Sequence, residues 1–145
     1  MRLVIQKVSQ SNVKVDGKIV GEIGKGYMVL VGITEGDDEK IVDKMVDKLV
    51  NLRIFEDTEN KMNLSLIDIG GSILSISQFT LYGDCSDGNR PSFIEAARPD
   101  EAIPLYEYFC NECARKGLDV QKGIFGADMK VQLLNDGPVT IIIER

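Results

Sequence analysis

The chain has no histidine, no tryptophan and no long apolar run among its 145 residues. Without histidine, one chain can form neither a Ser-His-Asp nor a Cys-His catalytic set, and it has no imidazole for zinc. No apolar stretch approaches the roughly 20 residues that a membrane-spanning helix needs, and residues 1–6 alternate as in a strand. We therefore expect a soluble, cytoplasmic protein with no membrane partner, no metal and no other cofactor.

Basic residues are also in the minority. The chain has 17 Lys and Arg against 23 Asp and Glu, which gives a net charge of -6. Extended, sequence-independent binding of nucleic acid depends on releasing counterions from phosphates, and this charge argues against it. We expect no DNA partner, whereas a small RNA footprint remains open.

Cysteine is scarce and odd in number, with Cys85, Cys110 and Cys113. This fits a reducing compartment better than a disulfide framework. Cys110 and Cys113 have C-x-x-C spacing but lie in a helical pattern, so core packing is the favoured interpretation. Cys85 lies in a predicted loop beside Gly83 and Asp84. A nucleophilic Cys85 is an alternative, although no imidazole is available to lower its thiol pKa.

Apolar periodicity predicts strands at both ends of the chain with two helices between them. The predicted strands cover residues 3–8, 13–20 with a turn at Asp16-Gly17, 27–33, 53–55, 72–81, 120–122, 129–134 and 139–143, the last two joined by a hairpin turn at 136–138. The predicted helices cover 37–52 and 105–116, with Pro104 in the first turn of the second. This order predicts a single α+β domain over residues 1–145, a layered sandwich of mixed, largely antiparallel sheets with helices packed on one face.

Two separated motifs carry the chemistry that a site needs. Ser77-Gln78-Phe79-Thr80 ends an apolar run and places two hydroxyls and an amide where a buried strand emerges. Asn135-Asp136-Gly137-Pro138-Val139-Thr140 places a Gly-Pro dipeptide between two apolar runs. Taken alone, Thr80 could be a strand-end threonine that satisfies backbone groups, and Pro138 a trans proline in an ordinary turn.

Together with four further blocks, these motifs resemble the D-aminoacyl-tRNA deacylases, which hydrolyse the ester between a D-amino acid and the 3′ end of tRNA. The further blocks are Asn51-Leu52-Arg53-Ile54-Phe55-Glu56-Asp57, Lys61-Met62-Asn63, Arg90-Pro91-Ser92-Phe93 and Gly123-Ile124-Phe125-Gly126-Ala127-Asp128-Met129. The resemblance spans the whole chain, with the blocks in the family's order. It implies a fold of two layered β-sheets with helices, and a symmetric homodimer with its active sites at the interface.

The resemblance also implies roles for the two motifs. Ser77, Gln78, Phe79 and Thr80 would form the catalytic part of one subunit's pocket, and peptide N–H groups around Phe79 and Thr80 would donate to the developing oxyanion. This chemistry needs no histidine. Thr80 would order a water molecule or the ester while the 2′-hydroxyl of the terminal ribose assists. Nucleophilic attack by Thr80 is the alternative, although the sequence shows no obvious base for it.

In the same family, Gly137-Pro138 is a cis dipeptide that projects into the partner's pocket. A rigid dipeptide beside the α-carbon would exclude an L side chain by collision and admit D-aminoacyl-tRNA, which amounts to chiral proofreading. Glycine has no side chain to exclude, so hydrolysis of mischarged glycyl-tRNA is expected as a side activity. Phe125 and Met129 could hold the terminal adenine, with core packing as the competing interpretation.

Two basic residues, Lys7 and Arg90, are candidate phosphate contacts, with solvated surface charge as the alternative. Lys7 stands where arginine is usual in the family, and lysine is not equivalent to arginine at a bidentate phosphate contact. A function of a different class would be a non-catalytic module that binds RNA ends. A Thr80 substitution distinguishes the two functions, because binding should persist in both whereas only an enzyme can lose turnover.

Overall fold

The structure is a computed structural model that describes residues 1–145 and contains eight strands, three α-helices and one 3-10 helix. The strands are β1 (Arg2–Val15), β2 (Lys18–Ile23), β3 (Gly26–Gly32), β4 (Phe55–Glu56), β5 (Met62–Leu64), β6 (Ser72–Ser77), β7 (Asp119–Lys122) and β8 (Lys130–Glu144). The helices are α1 (Glu39–Val50), α2 (Leu66–Ile69), α3 (Pro99–Arg115) and the 3-10 turn (Phe79–Tyr82). None of the helices combines the length and hydropathy that crossing a membrane requires.

Six strands form one sheet organised around the long first strand. On one edge, β1 pairs antiparallel with β3 over residues 2–8 and with β2 over 11–15, while β8 runs antiparallel along the other edge. Beyond β3, strands β6 and β7 are parallel to it, and β4 and β5 form a separate two-stranded sheet. The α+β fold with mixed pairing is confirmed. In place of a layered sandwich, one large sheet curls until β2 packs near β6.

The two faces of this sheet bury different clusters. On one face, Leu3, Ile5 and Val29 pack with residues from all three α-helices. On the other face, the buried cluster consists only of strand residues, namely Val8, Val13, Ile23, Met28, Leu74 and Ile76. Successive residues of β3 thus enter opposite clusters, which explains why its sequence is continuously apolar. The three α-helices pack on one face, as the sequence predicts.

Helix α1 agrees with its prediction, whereas α3 begins six residues earlier than expected. Asp38 caps α1 by accepting the Ile41 N–H at 2.9 Å. Helix α3 begins at Pro99, so Pro104 lies inside the helix and not in its first turn. Pro99 occupies the first helical position, where a missing N–H costs nothing, and this start signal outweighs the bond lost at Pro104. The predicted core packing of Cys110 and Cys113 is confirmed, since α3 buries both thiols.

The predicted strand over 72–81 is wrong in its last part. Strand β6 ends at Ser77, and Phe79 and Thr80 lie in the 3-10 turn that follows. The strand predicted at 53–55 is reduced to the short β4, which pairs with β5 in a stretch expected to be loop. Helix α2 also falls outside the predictions, although Ser65 and Asp68 form a capping box at its start.

The predicted C-terminal hairpin is wrong, because 130–144 is one strand that pairs with β1 over 130–135 and again over 140–144. Val8 pairs with Asn135 and Gln6 with Thr140, so four residues of β8 stand opposite the single residue between Gln6 and Val8. We call residues 136–139 the β8 bulge. It contains the Gly137-Pro138 peptide bond, which is cis. Turn-forming residues between two apolar runs are compatible with a bulge as well as with a hairpin.

Gly26 should be sensitive to substitution because β3 and β6 approach closely there. An ideal Cβ on Gly26 would lie 1.9 Å from the carbonyl oxygen of Ser72, whereas one on Gly24 would meet no atom within 4 Å. We expect Gly26→Ala to lower the free energy of unfolding by about 3 kcal/mol and Gly24→Ala to change it by less than about 0.5 kcal/mol. Urea denaturation of both variants measures this, and equal effects would contradict the strand contact.

Candidate functional site

A cleft of about 530 Å³ opens where the parallel strands β3 and β6 end. Val31 and Ile33 line it on the β3 side, and Ile76 lines it at the end of β6. Helix α3 contributes Ala102 and Tyr106. Ligands of sheets that contain parallel strands commonly bind beyond the carboxyl ends of those strands. The cleft is therefore positioned by the sheet itself.

Some of the predicted site residues converge here and others do not. Those that line the cleft are Ser77, Gln78, Phe79, Phe125 and Met129. Thr80 lies beside the cleft, exposed, and its Oγ1 accepts a hydrogen bond from Nε2 of Gln78. Gly137 and Pro138 are exposed in the β8 bulge and do not line the cleft of their own chain.

The 3-10 turn leaves backbone donors beside the cleft. The first N–H groups of such a helix have no acceptor within it. The N–H of Gln78 is already bonded to the carbonyl oxygen of Val31 at 2.8 Å, and no side chain caps the turn. The N–H groups of Phe79 and Thr80 therefore have no acceptor within the turn. Paired donors of this kind can stabilise an oxyanion.

The carboxyl end of the 3-10 turn is held by the sheet. Arg2 donates a hydrogen bond to the carbonyl oxygen of Leu81, and its guanidinium lies 4.8 Å from the ring centroid of Tyr82. Burial raises the pKa of Tyr82 to about 12, so this phenol is neutral at physiological pH. The turn is consequently fixed to the start of β1.

Phe125 and Met129 belong to the core as well as to the cleft. Phe125 packs against the cluster beneath the helices, and its ring centroid lies 6.1 Å from that of Tyr106. Met129 packs against the cluster on the other face. The hydroxyl of Tyr106 donates to the carbonyl oxygen of Ser75 at 2.9 Å, which fixes Tyr106, against which Phe125 packs, to β6. The two interpretations of Phe125 and Met129 are therefore compatible.

Lys7 is not available as a phosphate contact, contrary to the sequence-based hypothesis. Its side chain is 2% exposed, and its Nζ lies 2.7 Å from Oε1 of Glu56. The hydrogen bond from Lys7 is the main cause that lowers the pKa of Glu56. Lys7 is also the β1 residue opposite the β8 bulge. Arg90 is exposed and remains a candidate phosphate contact.

Cys85 is exposed and does not line the cleft. Its position gives no support to a thiol nucleophile at this site. No three cysteine or acidic side chains converge on a point that a metal ion could occupy.

Sequence reasoning missed the outer wall of the cleft. This wall consists of Phe93, Ala96, Ala97 and Pro99, which precede or begin α3. The segment has no apolar period that would assign it to a helix or strand. Its one signal is the block Arg90-Pro91-Ser92-Phe93, which contributed to the resemblance without a role of its own.

Comparisons with known proteins agree along the whole chain. The family described as D-Tyr-tRNA(Tyr) deacylase matches residues 4–144. The chain is 61% identical over 144 residues to a protein of Fusobacterium nucleatum named D-aminoacyl-tRNA deacylase, covering 99% of this chain and 95% of that one. It is 58% identical to a Brevibacillus brevis protein of the same name, covering 99% of each. A solved structure named c-Myc DNA Unwinding Element Binding Protein superposes with a TM-score of 0.93 at 40% identity, covering 100% of this chain and 99% of that one.

The ion pair between Lys7 and Glu56 should stabilise the fold in a pH-dependent way. Because the folded pKa of Glu56 is lowered, its contribution is present above the unfolded pKa of about 4.3 and is lost as the pH falls through the folded value. We expect Glu56→Gln to cost about 1 kcal/mol at pH 7, since water partly screens the exposed carboxylate. Urea denaturation at a series of pH values should show this cost shrinking below about pH 4.

The matched control is Glu59→Gln, because Glu59 pairs with Lys61 at 3.2 Å and both side chains are exposed. We expect its effect to stay below about 0.5 kcal/mol at every pH. A cost for Glu56→Gln that did not depend on pH would contradict the role of the charge.

Proposed function

The chain belongs to the D-Tyr-tRNA(Tyr) deacylase family, and from this premise we propose that it hydrolyses the ester bond of D-aminoacyl-tRNA, releasing the free D-amino acid and tRNA. The observation that carries the proposal is the 3-10 turn, where the N–H groups of Phe79 and Thr80 have no acceptor within the turn and stand beside an apolar cleft. The protein is thus a carboxylic ester hydrolase, and we place its reaction in the cytoplasm.

The reaction breaks the bond between the acyl carbon and the 3′ oxygen of the terminal ribose. Water adds to the acyl carbon, the carbonyl oxygen gains negative charge, and the leaving 3′ oxygen takes a proton. The N–H groups of Phe79 and Thr80 stabilise that charge without a change in protonation. The neighbouring 2′-hydroxyl assists the transfer of the proton.

Thr80 orients the water or the ester and does not attack. Its Oγ1 accepts from Nε2 of Gln78, so its own O–H stays free to donate. An amide cannot remove the proton of Thr80, and a threonine nucleophile needs a base to do so. Gln78 therefore orients the hydroxyl of Thr80 and does not activate it, while Ser77 completes this end of the cleft.

The cleft itself is suited to the 3′ end of the RNA. Its volume of about 530 Å³ lies in the usual range for small-ligand sites, and most of its lining is apolar. Unpaired bases are commonly held by aromatic and soft apolar side chains, and Phe125 and Met129 offer one of each. We assign the terminal adenine of the tRNA to the side of the cleft formed by Phe125 and Met129.

A second copy of the chain covers the open face of β1 and β8. On this face Val4 lies between Leu30 and Ile142, and Ile142 is 62% exposed. An uncovered apolar patch on a long edge strand favours association. The symmetric homodimer supplies the missing wall of each cleft, because Gly137 and Pro138 project from β8 and reach the cleft of the partner.

The β8 bulge then acts as the chiral filter. Asn135 supports it, since its Oδ1 accepts the N–H of Val139 at 3.0 Å and its Nδ2 donates to Oγ1 of Thr140 at 3.1 Å. A backbone held in this way beside the α-carbon excludes an L side chain by collision and needs no contact with a D side chain. Glycine passes the filter, so mischarged glycyl-tRNA is also hydrolysed.

A non-catalytic nucleic-acid-binding module is the second candidate. The observation in its favour is the 40% identical solved protein, whose name refers to a DNA unwinding element. The net charge of -6 opposes extensive phosphate contact by this chain. The two candidates differ in turnover, since a binding module would hold an RNA end without cleaving the ester.

The purified protein should release D-tyrosine from D-tyrosyl-tRNA and leave matched L-tyrosyl-tRNA intact. Acid-precipitable label measured over time gives both rates, and added chelator should change neither, since the proposed steps use no metal. Hydrolysis of neither substrate would refute the enzyme. Hydrolysis of both substrates at the same rate would support the hydrolase activity and contradict the chiral filter.

Gly137→Ala should weaken discrimination between the two substrates. Gly137 has φ of +132°, and an added Cβ would lie 2.8 Å from Cγ2 of Val139, so the β8 bulge must shift. We expect the ratio of D- to L-tyrosyl-tRNA hydrolysis to fall by about tenfold or more.

Gly17→Ala is the matched control, because Gly17 also has a positive φ, of +76°, but lies in the hairpin between β1 and β2. It strains the backbone without touching the bulge, so we expect it to leave the D/L ratio unchanged. An equal fall of the ratio in both variants would show that strain alone is responsible.

A further inference from the structure

The outer wall of the cleft is fastened to the rest of the protein at both of its ends. Near the 3-10 turn, Asp84 and Ser92 exchange two backbone hydrogen bonds of 2.8 Å each, which closes the exposed loop 85–91. At the other end, the N–H of Ala97 donates to the carbonyl oxygen of Ile33 at 2.9 Å. The segment between these two points therefore has a fixed position over the cleft.

Phe93 is the large side chain of this segment, and it rests on the 3-10 turn. An ideal Cβ on Gly83 would lie 3.0 Å from Cε1 of Phe93 and 3.0 Å from the carbonyl oxygen of Thr80. The centroids of the Phe93 and Phe79 rings are 5.1 Å apart with the planes at 73°, a favourable edge-on pair. Phe93 thus meets the turn both at Phe79 and at Gly83, the residue that ends it.

The position of Phe93 is not explained by the hydrophobic core. Its side chain is 38% exposed, and it belongs to neither buried cluster. Its ring packs against Gly83, whose N–H donates to the carbonyl oxygen of Thr80 at 2.9 Å. A ring placed on the end of the turn restricts how the turn can tilt toward the cleft.

We propose that Phe93 is a positioning residue for ester hydrolysis, which holds the 3-10 turn through Gly83 and Phe79 so that the N–H groups of Phe79 and Thr80 stay aimed at the developing oxyanion. This inference rests on the proposed function. Donors that stabilise a transition state must be held in place, since a displacement of about 1 Å can cost a factor of about 100 in rate. Phe93 accordingly acts on the chemical step more than on substrate binding.

The first test compares substitutions of Phe93 with D-tyrosyl-tRNA as substrate. We expect Phe93→Ala to lower kcat by a factor of about 10 to 100 and to raise KM by a much smaller factor. Phe93→Tyr keeps the ring, so its kcat should stay close to the wild-type value. Ile94→Ala is the control in the same segment, because Ile94 is 89% exposed and should leave both constants and the melting temperature unchanged.

The second test changes the other side of the contact. Gly83 has φ of -71° and ψ of 117°, which any L residue adopts, so the backbone angles permit Gly83→Ala. The added Cβ would meet Cε1 of Phe93 and the carbonyl oxygen of Thr80, each at 3.0 Å. We expect it to lower kcat as well. In the double variant Gly83→Ala with Phe93→Ala, the loss should be smaller than the product of the two single losses, since Phe93→Ala removes one of the two contacts that the added Cβ makes.

Three results would overturn the inference while the proposed function stands. The first is an unchanged kcat in Phe93→Ala. The second is a kcat in Phe93→Tyr as low as that in Phe93→Ala. The third is a loss of kcat in the double variant equal to the product of the two single losses. A wild-type protein without deacylase activity would overturn both proposals, which keeps the two failures distinct.

Discussion

The pairing of β1 with three other strands is the constraint on which the rest of the structure depends. One edge of β1 aligns β3 and β2, and the other edge aligns the whole of β8. Because β3 is fixed in this way, its parallel partner β6 ends beside it, with Val31 opposite Ser77. The cleft opens at that edge, and the hydrogen bond from Gln78 to Val31 begins the 3-10 turn there. The site is thus placed by strand register before any side chain contributes.

Several features with a local sequence signal could be predicted, whereas features that depend on distant partners could not. The helical spacing of α1 and the Asp16-Gly17 turn carry their own signals, and both are present in the structure. The end of β6 is set by the length of its pairing with β3, which no local pattern records. Residues 130–144 form one strand because both of its halves pair with β1, whereas local apolar runs around Gly137-Pro138 fit a hairpin equally well.

The candidate site shows the same division. Ser77 to Phe79 and Phe125 to Met129 are far apart in sequence, and the resemblance, not their spacing, predicted that they share a site. The structure brings them to one cleft. The phosphate-contact hypothesis for Lys7 fails because a lysine on an apolar strand gives no sign of its partner, Glu56, which comes from the separate small sheet. The wall around Phe93 has no periodic signal at all.

The β8 bulge affects how insertions and deletions in the sequence of β8 would be accommodated. Its two flanking arms are each held by β1, so neither arm can slide along the sheet. A one-residue slip in an ordinary strand would turn every following side chain to the opposite face. Here an added or lost residue is taken up within 136–139, and the pairing on both sides keeps its register. The register of the sheet therefore does not restrict the length of the bulge, which is left to be set by what the bulge contacts.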